Sequence, residues 1–362
     1  MASFMTILQT LTVLFLTSLV SSTLLDKSLS PGSTLHTRLS YQKASASTSS
    51  KPTSNLSAVN PPPGYRINLV FDSAHALSPI GVYNIALDTI YRLSLHPWAG
   101  IIEGSVSFSL SEYAEKVLFS PTTTPGRPYS QELQTGYAIL ALYAGIVTMT
   151  PPSRNLFFEL KIDVSMENVP VGSCKIYSSP NHPQLLNTTT VNKNNSTTPT
   201  LPDTATSKPA AADNHLITDY TTSTTTITDP EDPRYRLTLT YAGNRIQSKD
   251  IFLASIDAVA AAARYNPGRA CERLTGATVT HDSVVVTVAA LRRRPGTRAK
   301  DAWKLTYGYA SRAMVMVCAA MQREMRWGDA GLRLEYEGVR VGEGLVGVRI
   351  GGVGVEEGDE EA

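Results

Sequence analysis

The sequence predicts an α+β fold made of two tandem, diverged copies of one β-α-β-β-α-β-β unit, each a split βαβ, ferredoxin-like sandwich. Three observations support this prediction. Two blocks open on segments that alternate apolar and polar residues, at Tyr65 and Tyr235. Each opening is followed by a segment with helical spacing of apolar residues, and both blocks later contain Gly-Tyr-Ala, at Gly136 and Gly308. We expect the two copies to pack as an intramolecular pseudo-dimer, by the logic of isologous interfaces.

The first helix of each unit is predicted from apolar residues that recur at three- and four-residue steps. Residues 82–93 show this spacing in the first block, and residues 251–259 match them in the second. Pro97 and Pro267 follow at equivalent places. Because proline disfavours helical backbone in the residue before it, both helices are expected to end there.

The rest of each unit is predicted as a β-hairpin, a long apolar helix that contains Gly-Tyr-Ala, and a closing pair of strands. The hairpin begins near Gly104 in the first block and near Gly276 in the second. The closing pair is expected to add one strand at the edge of the split βαβ sheet. Its strands are residues 156–164 with 171–177, and residues 332–336 with 345–350.

Six segments follow from this pattern and from the composition between the blocks. Two of them are rich in Ser, Thr, Pro or Asn and cannot bury enough apolar surface to offset the entropy of ordering, so they are expected to be disordered. They are either O-glycosylated stalks or unmodified linkers. The segments are a signal peptide (1–22), a disordered Ser/Thr/Pro-rich segment (23–63), αβ unit 1 (64–177), a Thr/Asn/Pro-rich linker (178–233), αβ unit 2 (234–355) and an acidic tail (356–362).

The first 22 residues predict export from the cell. Their apolar stretch has the length of a signal-peptide core and is short for a membrane-spanning helix. Val20 and Ser22 are small enough for the −3 and −1 positions of a cleavage after Ser22. The segment contains neither Lys nor Arg, so an uncleaved anchor is the alternative. We expect a secreted protein with no transmembrane anchor once the signal is removed.

Four N-x-S/T sequons agree with an extracellular location. Each lies in polar sequence outside the predicted strands and helices, where a glycosyltransferase could reach it. The candidate glycosylation sites are Asn55, Asn187, Asn194 and Asn195, of which the last two are adjacent.

The chain contains three cysteines, so an oxidising compartment permits one disulfide with one thiol left over, or none. Cys271 and Cys318 lie in the same unit and are the candidate pair. With 42% apolar residues, the stability of both units is expected to come from hydrophobic cores. The 32 basic residues balance the 31 acidic ones, which gives no reason to expect nucleic acid or an anionic membrane as the partner.

No common catalytic or cofactor motif occurs: G-x-S-x-G, H-E-x-x-H, the P-loop and paired zinc-binding cysteines are all missing from the sequence. No cofactor is expected, and no residue is assigned a catalytic or metal-binding role. The six histidines show no metal-ligand spacing, and the adjacent His281-Asp282-Ser283 is uninformative because triads converge from separated positions.

Two pairs of equivalent residues are weak functional candidates. Asp88 and Asp257 would form the acid/base pair of a glycosidase if the copies met across a cleft, and are otherwise structural helix acids. Tyr137 and Tyr309 each follow a glycine, which indicates close packing against a neighbouring element, with ligand stacking as the alternative.

The strongest cluster of charge is a basic run in the loop before the second helix of unit 2. It is either a polyanion-binding site or a solvated loop. The residues are Arg292, Arg293, Arg294, Arg298 and Lys300.

The sequence therefore predicts a secreted glycoprotein without catalytic activity that binds an extracellular protein or carbohydrate at a cell surface or cell wall. Two alternatives stay open. One is a secreted hydrolase whose site lies between the repeats, and the other is polyanion binding by the 292–300 loop. Oligomeric state and ligand are not encoded in any motif.

Overall fold

The structure is a computed structural model of the full 362-residue chain. It describes residues 34–40, 61–122, 126, 128–150, 156–179, 223–278, 284–291 and 305–348. Two antiparallel sheets and four α-helices make up these residues, so the α+β class is confirmed.

The first half of the chain forms one six-stranded sheet with two helices. Its elements are β1 (Thr34–Ser40), β2 (Tyr65–Ala76), α1 (Pro79–Ser94), β3 (Val106–Ser109), β4 (Glu115–Pro121), a 3₁₀ turn (Tyr129–Gln131), α2 (Thr135–Met149), β5 (Phe158–Met166) and β6 (Val169–Ser178).

The second half forms another six-stranded sheet with two helices in the same order. Its elements are β7 (Thr224–Thr228), β8 (Tyr235–Arg245), α3 (Ser248–Ala262), β9 (Arg273–Ala277), β10 (Val284–Ala290), α4 (Tyr307–Arg323), β11 (Gly328–Tyr336) and β12 (Val339–Val348). Both first helices end before Pro97 and Pro267, as the sequence predicts.

The strands follow one order in both sheets, β1-β2-β5-β6-β4-β3 and β7-β8-β11-β12-β10-β9, and all neighbours are antiparallel. The crossover through α2 is split, since β4 and β5 run in the same direction with β6 between them. The closing strand β6, however, lies at the centre of the sheet, whereas the sequence predicts it at the edge. Its burial explains the place: Val171, Cys174 and Ile176 of β6 are fully buried.

Each closing pair of strands is joined by a two-residue turn with left-handed backbone. The turn residues are Glu167 and Asn168 (φ 51° and 71°) in the first sheet, and Glu337 and Gly338 (φ 52° and 78°) in the second. Positive φ at both turn positions is the type I′ geometry, whose twist matches that of antiparallel strands. The short turn explains why β5–β6 and β11–β12 are neighbours.

The edge strands β1 and β7 correct the predicted segment boundaries. Both lie in segments that the composition predicted to be disordered, 23–63 and 178–233, yet they pair with β2 and β8 over residues 34–40 and 224–228. The outer edges of β2 and β8 offer unpaired backbone donors and acceptors, and the threonine-rich β7 has high β-propensity. Backbone pairing therefore stabilises β1 and β7 in place of apolar burial.

The four helices lie between the sheets. On β2 the residues alternate between buried and half-exposed, which is the pattern of a sheet with one solvated face. The buried face packs on helices, and α1 of the first unit contacts α3 of the second. One continuous hydrophobic core therefore runs from one sheet through the helices to the other.

Candidate functional site

The centre of the contact between the units is a row of four aromatic rings. Tyr83 of α1 stacks on Phe252 of α3, with ring centroids 5.4 Å apart and planes 10° apart. Phe157 packs edge-on against Tyr83 at 5.5 Å, and Trp327 lies 5.3 Å from Phe252. Offset and edge contacts of this kind stabilise beyond the area that they bury. At these four rings the contact between the units is filled by side chains.

Asp88 belongs to a helical ion pair. Its Oδ2 accepts a hydrogen bond of 2.8 Å from Nε of Arg92, one turn later in α1. Burial raises the pKa of the Asp88 carboxyl, and the Arg92 guanidinium opposes that rise. The arrangement is that of a buried helix acid with a half-exposed cation beside it.

Asp257 has different partners. It accepts a hydrogen bond of 3.0 Å from the hydroxyl of Tyr143, which lies on α2 of the other unit, and one of 3.3 Å from the backbone N–H of Ala277. Burial raises its pKa, and these two donors work against the rise. Separate partners for Asp88 and Asp257 favour the structural interpretation of both acids over a shared acid/base pair.

A buried ion pair that the sequence did not predict lies beside the same contact. Arg312 of α4 donates to both carboxylate oxygens of Asp229, at 2.8 and 2.5 Å, and the two side chains are only 8% and 4% exposed. The Arg312 guanidinium also lies 5.2 Å from the centre of the Tyr91 ring, on α1 of the first unit. Burial works to lower the pKa of Arg312, but the bonds to Asp229 outweigh it and the pKa is raised. The only sign of this pair in the sequence is an arginine on the apolar face of α4, between Ala310 and Met314.

The glycines before Tyr137 and Tyr309 lie within α2 and α4, as predicted, in the first turn of each helix. The expected close packing is confirmed: a Cβ on Gly136 would collide with the indole of Trp98, and one on Gly308 would lie 3.2 Å from the carbonyl oxygen of Pro267. Both tyrosines accept, through their backbone carbonyls, a hydrogen bond from the opening tyrosine of their unit. These contacts give both tyrosines a structural role.

Aromatic and arginine side chains gather where α1 and α3 end and α4 begins. Tyr265 and Tyr307 stack at 4.3 Å with planes 10° apart, and the Arg269 guanidinium lies 5.6 Å from the Tyr265 ring. Arg264 lies 5.3 Å from the ring of Trp98, which belongs to the first unit. Tyr265 is 41% exposed. We call these five residues the aromatic–arginine cluster.

The cluster includes Tyr307, which follows the basic loop in the chain. The run Arg292, Arg293, Arg294, Arg298 and Lys300 lies outside the described residues, as do His281 and Asp282. The described residues that follow the run are tied to the cluster: Leu305 accepts from the backbone N–H of Cys271, and Tyr307 donates to the carbonyl of Arg269 at 3.0 Å.

The candidate disulfide is not formed. Cys271 and Cys318 are free and buried, as is Cys174. The Cys318 thiol donates to the Ser255 hydroxyl at 3.4 Å, while Cys271 lies before β9. Burial raises the pKa of both thiols to about 12. The glycosylation candidates Asn55, Asn187, Asn194 and Asn195 lie outside the described residues.

Comparison with protein-family models, with curated proteins and with solved structures finds no match for the chain. Within the described part of the chain, no helix has both the length and the apolar character needed to cross a membrane.

Proposed function

We propose that the protein is a secreted glycoprotein without catalytic activity that binds an acidic carbohydrate of a cell surface or cell wall through the aromatic–arginine cluster. The Tyr265–Tyr307 stack, in which Tyr265 is exposed and has an arginine on either side of it along the chain, carries the proposal. Secretion is supported by the apolar segment at residues 1–22 and by the four sequons.

The chemistry of the cluster matches an acidic sugar. An aromatic ring offers a flat apolar surface to the apolar face of a sugar ring. A guanidinium binds a carboxylate or a sulfate through two parallel hydrogen bonds and is weakly hydrated, so its transfer from water costs less than that of an ammonium. Arg264 and Arg269 are both exposed, so their donors can reach a ligand.

The two units are proposed to be diverged copies of one gene segment, packed as an intramolecular pseudo-dimer about an approximate two-fold axis. Each unit is then a variant of the split βαβ, ferredoxin-like sandwich with its closing hairpin at the centre. Tyr83 and Phe252, which occupy the same position relative to Asp88 and Asp257, stack on each other, as two residues on such an axis would. The equal strand orders of the two sheets support the same proposal.

Polyanion binding by the 292–300 loop is the second candidate, and it is favoured by the five basic side chains of that loop, which precedes Tyr307 of the cluster in the chain. The two candidates share a charge preference and differ in the residues responsible. A hydrolase between the units has less support, since Asp88 and Asp257 are held by separate partners.

The test is binding of the purified mature protein to an array of neutral, carboxylated and sulfated glycans, with a hydrolase substrate panel in parallel. We expect binding to carboxylated or sulfated glycans that weakens with salt, because exposed charges are screened. The double variant Arg264→Ala/Arg269→Ala and the variant Tyr265→Ala should each abolish it.

The matched control is Arg245→Ala/Arg323→Ala, which removes the same charge at the ends of β8 and α4, away from Tyr307. An equal loss of glycan binding in the control would mean that net charge alone causes the effect, and it would contradict the proposal. Loss confined to Arg292–Arg294→Ser would assign the binding to the loop instead, and turnover of a substrate would indicate the hydrolase.

A further inference from the structure

An irregularity at the end of β2 brings three ligand-type side chains together on the solvated side of the first sheet. Asp72 pairs with Glu159, and the next paired residue of β2 is Ala76, opposite Phe158. Residues 73–75 are therefore looped out of the ladder. Such bulges re-aim a side chain, and here His75 is carried back beside Asp72, with 3.0 Å between Nδ1 and Oδ2.

The three groups can converge on one ion. One donor atom from each of Asp72, His75 and Glu159 lies within 4.8 Å of the other two. An imidazole nitrogen with two carboxylate oxygens is a set used by zinc and by other borderline divalent cations, at about 2.0–2.2 Å from the metal. Small rotations of exposed side chains close the remaining distance, and His75 is 62% exposed.

Neighbouring groups hold both carboxylates in place. Asp72 accepts a hydrogen bond of 3.0 Å from the backbone N–H of Ala74. Glu159, 12% exposed, accepts from the backbone N–H of Ser178 at 3.2 Å and pairs with Lys175 at 3.0 Å. Lys175 is the one of these partners that competes with a cation, because its ammonium occupies Oε2.

The second unit shows that the fold does not require these residues. Counted from the opening tyrosines, the positions of Asp72 and His75 correspond to Ala242 and Arg245, and β8 has the same kind of register shift against β11. The position of Glu159 corresponds to Asp329, which accepts a hydrogen bond of 2.5 Å from Asn244. The second irregularity has a single carboxylate and no histidine, so the ligand set belongs to unit 1 alone.

We infer that Asp72, His75 and Glu159 form a surface site for a divalent cation of the zinc class, with water completing its coordination. This site is independent of the aromatic–arginine cluster. Because three ligands at an exposed position leave coordination sites open, the bound ion can accept a further donor from a partner molecule.

The test uses full-length protein without an affinity tag, titrated with ZnCl₂ by calorimetry and with Co²⁺ by visible absorption. We expect one Zn²⁺ per chain at this site and a cobalt d–d spectrum. His75→Ala and Asp72→Asn should each weaken binding by about tenfold or more, because even the loss of an outer-shell partner of a ligand costs that much. Lys175→Ala should tighten it, because the second oxygen of Glu159 is freed.

Asn244→Ala, at the corresponding bulge of unit 2, is the matched control and should leave the titration unchanged. His75 and Asp72 are both at least half exposed, so their variants are expected to fold, which circular dichroism verifies. Wild type and His75→Ala with equal zinc affinity, or wild type with no zinc binding at all, would overturn the inference.

Discussion

The same contacts hold each unit together internally, but the side chains that meet between the two units differ. In unit 1 the Tyr65 hydroxyl donates to the carbonyl of Tyr137 at 3.1 Å, and in unit 2 Tyr235 donates to Tyr309 at 2.9 Å. The loops before the second helices are likewise fixed by equivalent bridges, Ile101 with Gln134 and Ala270 with Thr306.

Between the units the correspondence ends. Counted from Gly136 and Gly308, the buried Arg312 of α4 corresponds to Leu140 of α2, and Tyr143, the partner of Asp257, corresponds to Val315. The bonds that define each unit are therefore kept, whereas the polar contacts across the interface exist on one side only. The contacts inside the two units are thus alike, and the polar contacts between the units are not.

The largest effect is expected from Arg312→Leu, which gives unit 2 the residue of unit 1. It leaves Asp229 buried without its cation, and breaking a buried pair in this way costs about 3–5 kcal/mol of unfolding free energy. Asp229→Asn should restore most of the loss in the double variant, because the amide oxygen can still accept from the N–H of Glu231, now bonded at 3.0 Å. Urea unfolding measures all three proteins.

Arg92→Leu is the control for that series. Its partner Asp88 is buried, but Arg92 itself is 50% exposed, so the expected cost is about 1 kcal/mol or less. Equal losses for Arg312→Leu and Arg92→Leu would mean that water reaches the Arg312 pair.

A second difference lies where the first helix meets the edge strand. Gly276 of β9 lies at the place that Phe108 has in β3. Strand pairing leads across the second sheet from Gly276 to Ala330 of β11, and across the first sheet from Phe108 to Leu160 of β5. Ala330 and Leu160 are at the same position in their strands. A Cβ on Gly276 would collide with the carbonyl oxygen of Ala254 in α3. The glycine lets α3 lie directly on its sheet.

Gly276→Ala should therefore lower the unfolding free energy by about 1–3 kcal/mol, the usual range for overpacking. Gly331→Ala, on the exposed face of β11 with only the Thr240 oxygen at 3.9 Å, is the control and should be neutral or slightly stabilising. A tolerated Gly276→Ala would show that α3 can shift away from β9 without cost.

These elements show what the sequence could and could not predict. Strand alternation and helical spacing predict the order of elements, because both periods are local properties of the chain. The central place of β6 and β12 depends on which strands pair, and pairing is settled by burial across the whole sheet. The pairs Arg312–Asp229 and Tyr143–Asp257 join residues far apart in sequence. A single sequence gives no signal for such contacts beyond a polar residue on an apolar face.

The smallest effect concerns the pH dependence that Asp257 gives to stability. Its pKa is raised in the folded protein, so the buried charge destabilises the fold above that pKa and has no effect below the unfolded value of about 3.9. Stability of the wild type should therefore fall as pH rises through this window. Asp257→Asn removes the charge, and its amide can accept from the N–H of Ala277 and donate to the Tyr143 oxygen.

The stability of Asp257→Asn relative to wild type should thus increase from pH 4 toward pH 7, measured by urea unfolding across that range. Tyr143→Phe should act in the opposite sense, because it removes a donor that holds the Asp257 pKa down and so extends the sensitive window to higher pH. Tyr177→Phe, a conservative exchange on the first sheet, should leave the profile unchanged. Parallel profiles for wild type and Asp257→Asn would contradict a raised pKa of Asp257 in the folded protein.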